Sequence, residues 1–396
     1  MAAPYASAEE IDKLVENVNV ASKAFKAESG RGTEDARRKL QVEATKLLYS
    51  LQEPNTEVWP RIFQVNQSAA IEVITQMGLW SKFEDGKILL LKDIISTTGA
   101  DEVMIIRIFR QLVAANVLSD VPGPGYKITP LGAPYLNPDH AAFSSFVFTE
   151  ILPSILSLPR NLSTRNYKAP SKDSGSPYKW ANGEELWTYL GSHPERALNM
   201  VNGMRSLHTG SLETNAYPFA EELAKMDIKD GEVAIVDVAG GQGHIMAEVR
   251  RTCPEIKGKF IVQDLASTFE AVAAPPEGIE YMAYDMFTPQ PVKGAHVYHY
   301  RHIFHDWSDG DCSSFLQQLV PLLKEQPGSK LLLVDLVLPN TDVSMQECVR
   351  DLSMFPIGGL ERNEGQWREL LEKNRLKIKK IWRGTEPEAC VECEVL

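Results

Sequence analysis

Two short stretches hold residue types whose spacing could do chemistry. In Asp237-Val238-Ala239-Gly240-Gly241-Gln242-Gly243-His244, small residues sit where an apolar run gives way to a helical pattern. Missing Cβ atoms let a ligand approach the backbone, and a helix start offers free N–H donors. Such a turn serves NAD, FAD or S-adenosylmethionine alike. A dinucleotide fingerprint would run from Gly241 to Met246, and Met246 stands where its third glycine or alanine belongs, which argues against a bound pyrophosphate. Asp264 ends the next apolar run, where a carboxylate can accept both ribose hydroxyls. Asp285 ends the third, placed to meet an adenine amino group, with Met286 packing on the ring. Either acid alone could simply cap a helix. Glycine turn and both acids together point to an adenosine ligand.

The second stretch is Tyr300-Arg301-His302-Ile303-Phe304-His305-Asp306-Trp307-Ser308-Asp309. It follows a fourth apolar run, and strand ends in open α/β sheets are where ligands bind. An imidazole there, with a pKa of about 6.5, can take a proton from a phenol or acidic hydroxyl as that oxygen attacks a methyl group. His302, His305 and Asp306 also raise a metal reading. No further His or Cys lies at a local ligand spacing, so no metal is expected.

These stretches need a scaffold. Apolar runs at 233–238, 260–264, 279–285, 295–300 and 330–335 alternate with helical patterns. Near-continuous apolar strands of this kind indicate a parallel sheet covered on both faces. The expectation is an α/β fold whose C-terminal domain, 225–396, is Rossmann-like and doubly wound, closed by strands at 377–382 and 390–395. Upstream, helical periodicity fills 8–52, broken at 30–33, and returns at 67–80 and 105–113. Short strand-like runs at 117–118 and 126–128 flank Pro122-Gly123-Pro124-Gly125, a turn signal that completes the outline of a winged helix in a mainly helical domain, 1–130. Residues 131–224 read as a helical connector. Within it, 159–186 crowds Pro, Ser and Gly and is expected to be loop, and periodicity returns through about 223 with Leu186, Leu190, Met200, Met204 and Leu207.

Composition narrows the partners. With 43% hydrophobic and 24% charged residues in 396, the chain is an ordinary globular mixture, which excludes collagen-like and mostly disordered readings. A net charge of −12 repels phosphate backbones and anionic membranes. The helix near 105–113 carries only Arg107 and Arg110, so the winged helix reads as a packing or dimerisation module, with no nucleic-acid partner. The N-terminus lacks the order of a signal peptide. The most apolar window, 143–158, is interrupted by Glu150 and Pro153 and falls short of the roughly 20 residues a membrane helix needs, so no membrane partner and a cytoplasmic location are expected. Cys253, Cys312, Cys348, Cys390 and Cys393 form an odd, scattered set that fits reduced thiols. Cys390 and Cys393 match CxxC as a string, yet in a strand residues three apart point to opposite faces.

The runs 236–244 and 301–309, together with Gly358-Gly359-Leu360-Glu361-Arg362-Asn363-Glu364, resemble three signatures of the caffeic acid-type O-methyltransferases of plants and fungi. The resemblance covers nearly the whole chain and implies S-adenosylmethionine as cofactor, a homodimer formed through the N-terminal domain, and a small hydroxylated aromatic or polyketide-type acceptor. It places the general base on His305, with Asp335 and Glu361 orienting the ring and stabilising imidazolium. It assigns the cofactor to Asp237, Ala239, Gly240, Gly241, Gly243, Asp264, Leu265, Asp285 and Met286, with Arg301 against the methionine part. Met200, Met204, Met354, Phe355 and Ile357 would wall the acceptor. Ala239 replaces a glycine common in the family's turn, and its methyl is tolerated if φ is negative. A second reaction class shares the scaffold: some fungal relatives keep the cofactor yet catalyse dehydration or pericyclic ring formation. They can carry another residue at the base position, and His305 favours methylation.

Overall fold

The apolar run Val233–Val238 forms an interior strand of an eight-stranded sheet in the computed structural model, which describes residues 6–27, 34–170, 174–206, 216–270, 274–341, 343–384 and 388–396. Two compact units divide the chain, Met1–Phe148 and Thr149–Leu396, so the segment 131–224 is shared between them.

The first unit holds strands β1 (Leu89–Leu90), β2 (Leu118–Val121) and β3 (Gly125–Ile128) in an antiparallel sheet of order β1-β3-β2. Helices Val65–Gln76, Leu91–Thr98 and Glu102–Ala114 bury Ile74, Ile94, Ile105, Phe109 and Leu112 in its core. Arg107 and Arg110 lie exposed on the last of these helices.

The second unit contributes β4 (Val233–Val238), β5 (Lys259–Asp264), β6 (Ile279–Ala283), β7 (Val297–Arg301), β8 (Lys330–Leu338), β9 (Arg362–Asn363), β10 (Leu376–Arg383) and β11 (Glu388–Val395). Their order is β10-β11-β8-β7-β4-β5-β6, with β9 beside β8. Strands β4 to β8 run parallel, while β11 and β10 are antiparallel. The chain steps from β4 to β5 and β6, then returns to β7 on the other side of β4. That reversal opens a crevice at the carboxyl ends of β4 and β7, where an open α/β sheet binds ligands. Both sequence stretches singled out for chemistry leave the sheet there.

Apolar packing covers both sheet faces. One cluster gathers Tyr298, Phe304, Phe315, Leu331 and Leu333, and the other Phe219, Phe260, Val297, Leu332 and Val334. Cys390 belongs to the second and Cys393 to the first, so the two thiols lie on opposite faces of β11. All five cysteines are free.

Several boundaries differ from expectation. The loop expected at 159–186 is helical at 159–164 and 177–182, with turn and coil among the described residues between them. Leu152–Thr164 carries Pro159 on its exposed side, and Pro177 opens Pro177–Asn182, with Ser176 Oγ accepting from Lys179 N at 3.0 Å. Proline suits a first helical turn, where its missing N–H is no loss, so this proline marks a start and not a linker. The helical run Pro138–Thr164 has 27 residues and by length and composition alone could cross a membrane. It outruns the apolar window because a π turn, Val147–Ile151, carries it through Glu150, which accepts a hydrogen bond from Tyr178 at 3.0 Å. Asp285 lies two residues past the end of β6, and β8 runs on past Asp335 to Leu338. The break at 30–33, part of the loop at 171–173, and Leu207 lie outside the described residues.

Candidate active site

The chain leaves β4 through Ala239 with φ +56°, and Gly241 (+59°) and Gly243 (+75°) follow in the same left-handed region. The condition set for Ala239, a negative φ, is therefore not met. A residue with a Cβ is held where only glycine is free of strain, at a cost of about 1 kcal/mol. Backbone bonds fix the turn: Gly240 N donates to Gln263 O at 3.1 Å, and Gly243 N to Gly240 O at 3.1 Å. A Cβ on Gly240 would collide with the Asp237 carboxylate, whereas one on Gly241 would meet no atom within 4 Å. Gly241 thus presents bare backbone to open space.

Asp264 closes β5 and serves two ends at once. Its Oδ2 accepts from Gly241 N at 2.8 Å, and its Oδ1 from Leu265 N at 2.8 Å and Thr268 Oγ1 at 2.7 Å. The capping alternative and the bracing of the glycine turn are both real. Asp285 is exposed and accepts from Phe287 N at 3.0 Å, while Met286 packs half-buried against the core. Asp237 is buried, and His299 Nδ1 donates to its Oδ1 at 2.7 Å. His299 was missed in the sequence; its only signal was a histidine inside a strand that is otherwise apolar.

On the other side of the crevice, Arg301 ends β7 and donates from Nη2 to Glu388 Oε2 at 2.8 Å. Its Nε is buried without a hydrogen-bond partner. His302 then takes φ +55°, a strained turn held by His302 N to Val334 O at 3.0 Å and by Nε2 against Glu388 Oε1 at 2.9 Å. Burial, with Arg301 adding to it, pushes His302 down to about 4, so that ring is neutral. Despite burial, His302 and Arg301 hold the Glu388 carboxyl well below the usual carboxylate range. Glu388 was not singled out in the sequence, since it sits alone at the start of β11.

The chain then folds into a short turn, Phe304–Asp306, anchored by Phe304, whose buried ring meets Phe315 edge-on at 4.9 Å. His305 stands on this turn. Its Nδ1 donates to Glu361 Oε1 at 2.8 Å; Asp335 Oδ1 is 3.8 Å from the same nitrogen, and Asp306 Oδ1 is 3.6 Å from Nε2. The two acids implied as ring partners therefore differ: Glu361 binds the ring and Asp335 stands behind it. Both oxygens of Asp335 and Oε2 of Glu361 are buried without hydrogen-bond partners. Burial opposes a charged ring, yet Asp335, Asp306 and Glu361 together outweigh it and raise His305 to about 10. Burial also raises Asp335 above its ordinary value and Asp306 to about 6, against the pull of His305. The rings of His302 and His305 stack at 5.4 Å, each with one nitrogen on a glutamate, and among the described residues no group of three or more His, Cys, Asp or Glu could hold a metal.

Met200 and Met204 lie on helix Pro194–Ser206, and Met354, Phe355 and Ile357 lie where helix Met345–Met354 runs into the turn Phe355–Ile357. All five are half-buried and none joins a core cluster. The turn Phe355–Ile357 packs on helix Pro177–Asn182.

A glycine turn braced by an acid and an imidazole held by carboxylates leave neighbouring strands of the one sheet at their carboxyl ends, where open α/β sheets bind ligands. The chain belongs to the O-methyltransferase domain family, whose model matches residues 165–375. Demethylsterigmatocystin 6-O-methyltransferase of Aspergillus flavus is 30% identical over 79% of this chain and 81% of that protein. O-methyltransferase opaF of Aspergillus ustus is 28% identical over 88% of this chain and 84% of that protein. Among solved structures, OxaC in complex with sinefungin and meleagrin superposes with TM-score 0.86 at 26% identity, covering 99% of this chain and 100% of that one. A structure described as a pericyclic reaction enzyme shares the fold at TM-score 0.86 and 23% identity, covering 98% of this chain and 100% of that one. The cofactor of this S-adenosylmethionine-dependent family fits the residues present: Gly241 offers open backbone, and Arg301 Nε offers an unused donor.

Proposed function

We propose that this enzyme methylates a hydroxyl of a small aromatic or polyketide-type secondary metabolite, with His305 as general base. The carrying observation is the 2.8 Å hydrogen bond from His305 Nδ1 to Glu361, which fixes the ring and leaves Nε2, 3.6 Å from Asp306 Oδ1, as the nitrogen that can take a proton. When bound, S-adenosylmethionine supplies an electrophilic methyl that needs little activation. The chain supplies the rest. Asp237, Ala239, Gly240, Gly241, Gly243, Asp264, Leu265, Asp285 and Met286 form the adenosine side. Arg301 takes the carboxylate of the methionine part. His305 Nε2 removes the acceptor's hydroxyl proton, and Glu361 and Asp335 stabilise the resulting imidazolium, as an aspartate does in a catalytic triad. A base raised to about 10 matches a phenol, whose pKa is about 10, so proton transfer between them is nearly balanced. The half-buried Met200, Met204, Met354, Phe355 and Ile357 suit an aromatic acceptor. The test is incubation with methyl-labelled cofactor and a panel of phenolic polyketides, scoring label in the product.

One observation favours a second reading. A ring raised to about 10 is an imidazolium at neutral pH, and a fixed cation can stabilise a polarised transition state without methyl transfer. Product formed without label would establish that reading.

We infer a homodimer through the first unit, which keeps Leu48, Leu51, Val58, Trp59, Ile62 and Phe63 exposed. Apolar patches of that kind mark interaction sites. Trp59→Glu should convert the dimer to monomer in sedimentation; an unchanged dimer would refute the assignment. Five free thiols suit a reducing cytoplasm.

A further inference from the structure

We propose that Arg362 is a positioning residue for the methyl-transfer reaction: its guanidinium holds the backbone on both sides of His305 and so aims the imidazole. The inference rests on His305 being the base. Arg362 is 1% exposed, one of the largest fully buried side chains. Nη1 donates to Phe304 O at 2.7 Å and Nη2 to Trp307 O at 2.9 Å, the two carbonyls that bracket His305 and Asp306. Nε and Nη2 also reach Asp309 Oδ1 at 3.0 and 2.7 Å, at the start of helix Asp309–Glu325. The backbone bond from Trp307 N to Phe304 O is stretched to 3.4 Å. Asp306 N to Ile303 O at 3.1 Å closes the first part of the turn, and Arg362 reinforces the second, where the backbone bond is long.

Its own position is fixed independently. Arg362 pairs with Val337 in the β8–β9 ladder, and Asn363 next to it caps helix Glu364–Lys373 in a reciprocal capping box with Gln366. Leu360 N donates to His305 O at 2.9 Å. Three consecutive residues thus grip one histidine: Leu360 its carbonyl, Glu361 its ring and Arg362 the carbonyls on either side. A lysine is a point charge and cannot bridge two carbonyls and a carboxylate at once, whereas the planar guanidinium fork can.

The test is Arg362→Lys in the complex with S-adenosylhomocysteine, titrating carbon-labelled histidine by NMR, with the His305 signal assigned from His305→Gln. With the turn slack, the ring loses its fixed distance to Glu361. The expected result is a His305 titration lowered by about one unit or more. With a phenolic polyketide acceptor, kcat should fall about 30- to 100-fold while KM stays within about twofold. A merely structural arginine would lower the melting temperature and leave the titration and the kcat/KM split untouched; a wild-type His305 titration in Arg362→Lys overturns the proposal. Should that variant not fold, Asp309→Ala on the exposed partner removes the oxygen that accepts two of the guanidinium's bonds. It should lower the titration in the same direction by a smaller amount, and an unchanged His305 there overturns the proposal equally. The titration requires no turnover. If it moves as expected while wild-type product carries no methyl label, the positioning role stands and the base reading falls.

Discussion

Glu361 Oε1 accepts a hydrogen bond from His305 Nδ1 at 2.8 Å, and among the described residues no other carboxylate comes within hydrogen-bond distance of that nitrogen. This one bond decides which imidazole nitrogen carries its hydrogen and leaves Nε2 to do chemistry. Glu361→Gln keeps the shape but offers the ring an amide that can also donate. Turnover should fall on the order of 10³-fold with cofactor affinity unchanged, as measured by single-turnover kinetics and calorimetry. Asp335→Asn, which breaks no hydrogen bond, should cost roughly tenfold. Equal losses in the two variants would count against the division of labour.

The pH dependence follows from signs. The base must be neutral to accept a proton, and His305 is raised to about 10, so kcat/KM should climb across the neutral and alkaline range toward that value. His305→Gln should remove this rising limb. A profile already flat at neutral pH would contradict it.

Stability should run the opposite way. His305 titrates higher in the folded than in the unfolded chain, so its charge stabilises the fold fully below about 6.5 and that contribution is lost as pH rises toward about 10. Asp306 is raised to about 6, so the fold favours its protonated form and loses stability as pH climbs from about 4 through 6. His302, held down at about 4, works the other way below about 6.5, so the decline in urea midpoints should show between about pH 7 and 9, where the His305 contribution is being lost. His305→Gln should flatten that decline, and Asp306→Asn should raise the midpoint at about pH 7 relative to that at about pH 5; slopes unchanged in both variants would refute these assignments.

Much of this was legible in the sequence, for identifiable reasons. Apolar runs at 233–238, 260–264 and 330–335 are strands because a doubly covered parallel sheet tolerates little else. The glycine cluster and the His305 stretch were visible because their residue types are chemically conspicuous. Other parts were hidden. Arg362 acts on backbone carbonyls, which no spacing rule reports. His299 and Glu388 pair with residues 62 and 87 positions away, so their partners appear only once β7 lies beside β4 and β11 pairs with β8. Pro177 read as loop because proline signals both a linker and a first helical turn.

Ala239 supplies a backbone prediction. At φ +56° it is strained, so Ala239→Gly should relieve about 1 kcal/mol while losing a similar amount to unfolded-chain entropy, leaving stability within about 1 kcal/mol of wild type. Ala239→Val should cost more than about 1 kcal/mol, because a β-branched side chain suits positive φ worst. Denaturant midpoints separate the two; a silent valine would show that the turn relaxes to negative φ.

His299 supplies a last prediction beneath the cofactor turn. His299→Ala would strand the buried Asp237 carboxylate without its donor, at a cost of about 3 kcal/mol. Because Asp237 lies against Gly240, cofactor affinity should fall with stability. Calorimetry showing a destabilised protein with unaltered cofactor affinity would separate Asp237 from the cofactor site.

The central claim is that His305 is the base of a methyl transfer, and the direct measurement is label transfer from methyl-labelled S-adenosylmethionine to a phenolic polyketide by wild type and His305→Gln. The account predicts labelled product from the wild type, none above background from the variant, and equal cofactor affinity in both. Undiminished label transfer by His305→Gln, or wild-type product that carries no label, would contradict it.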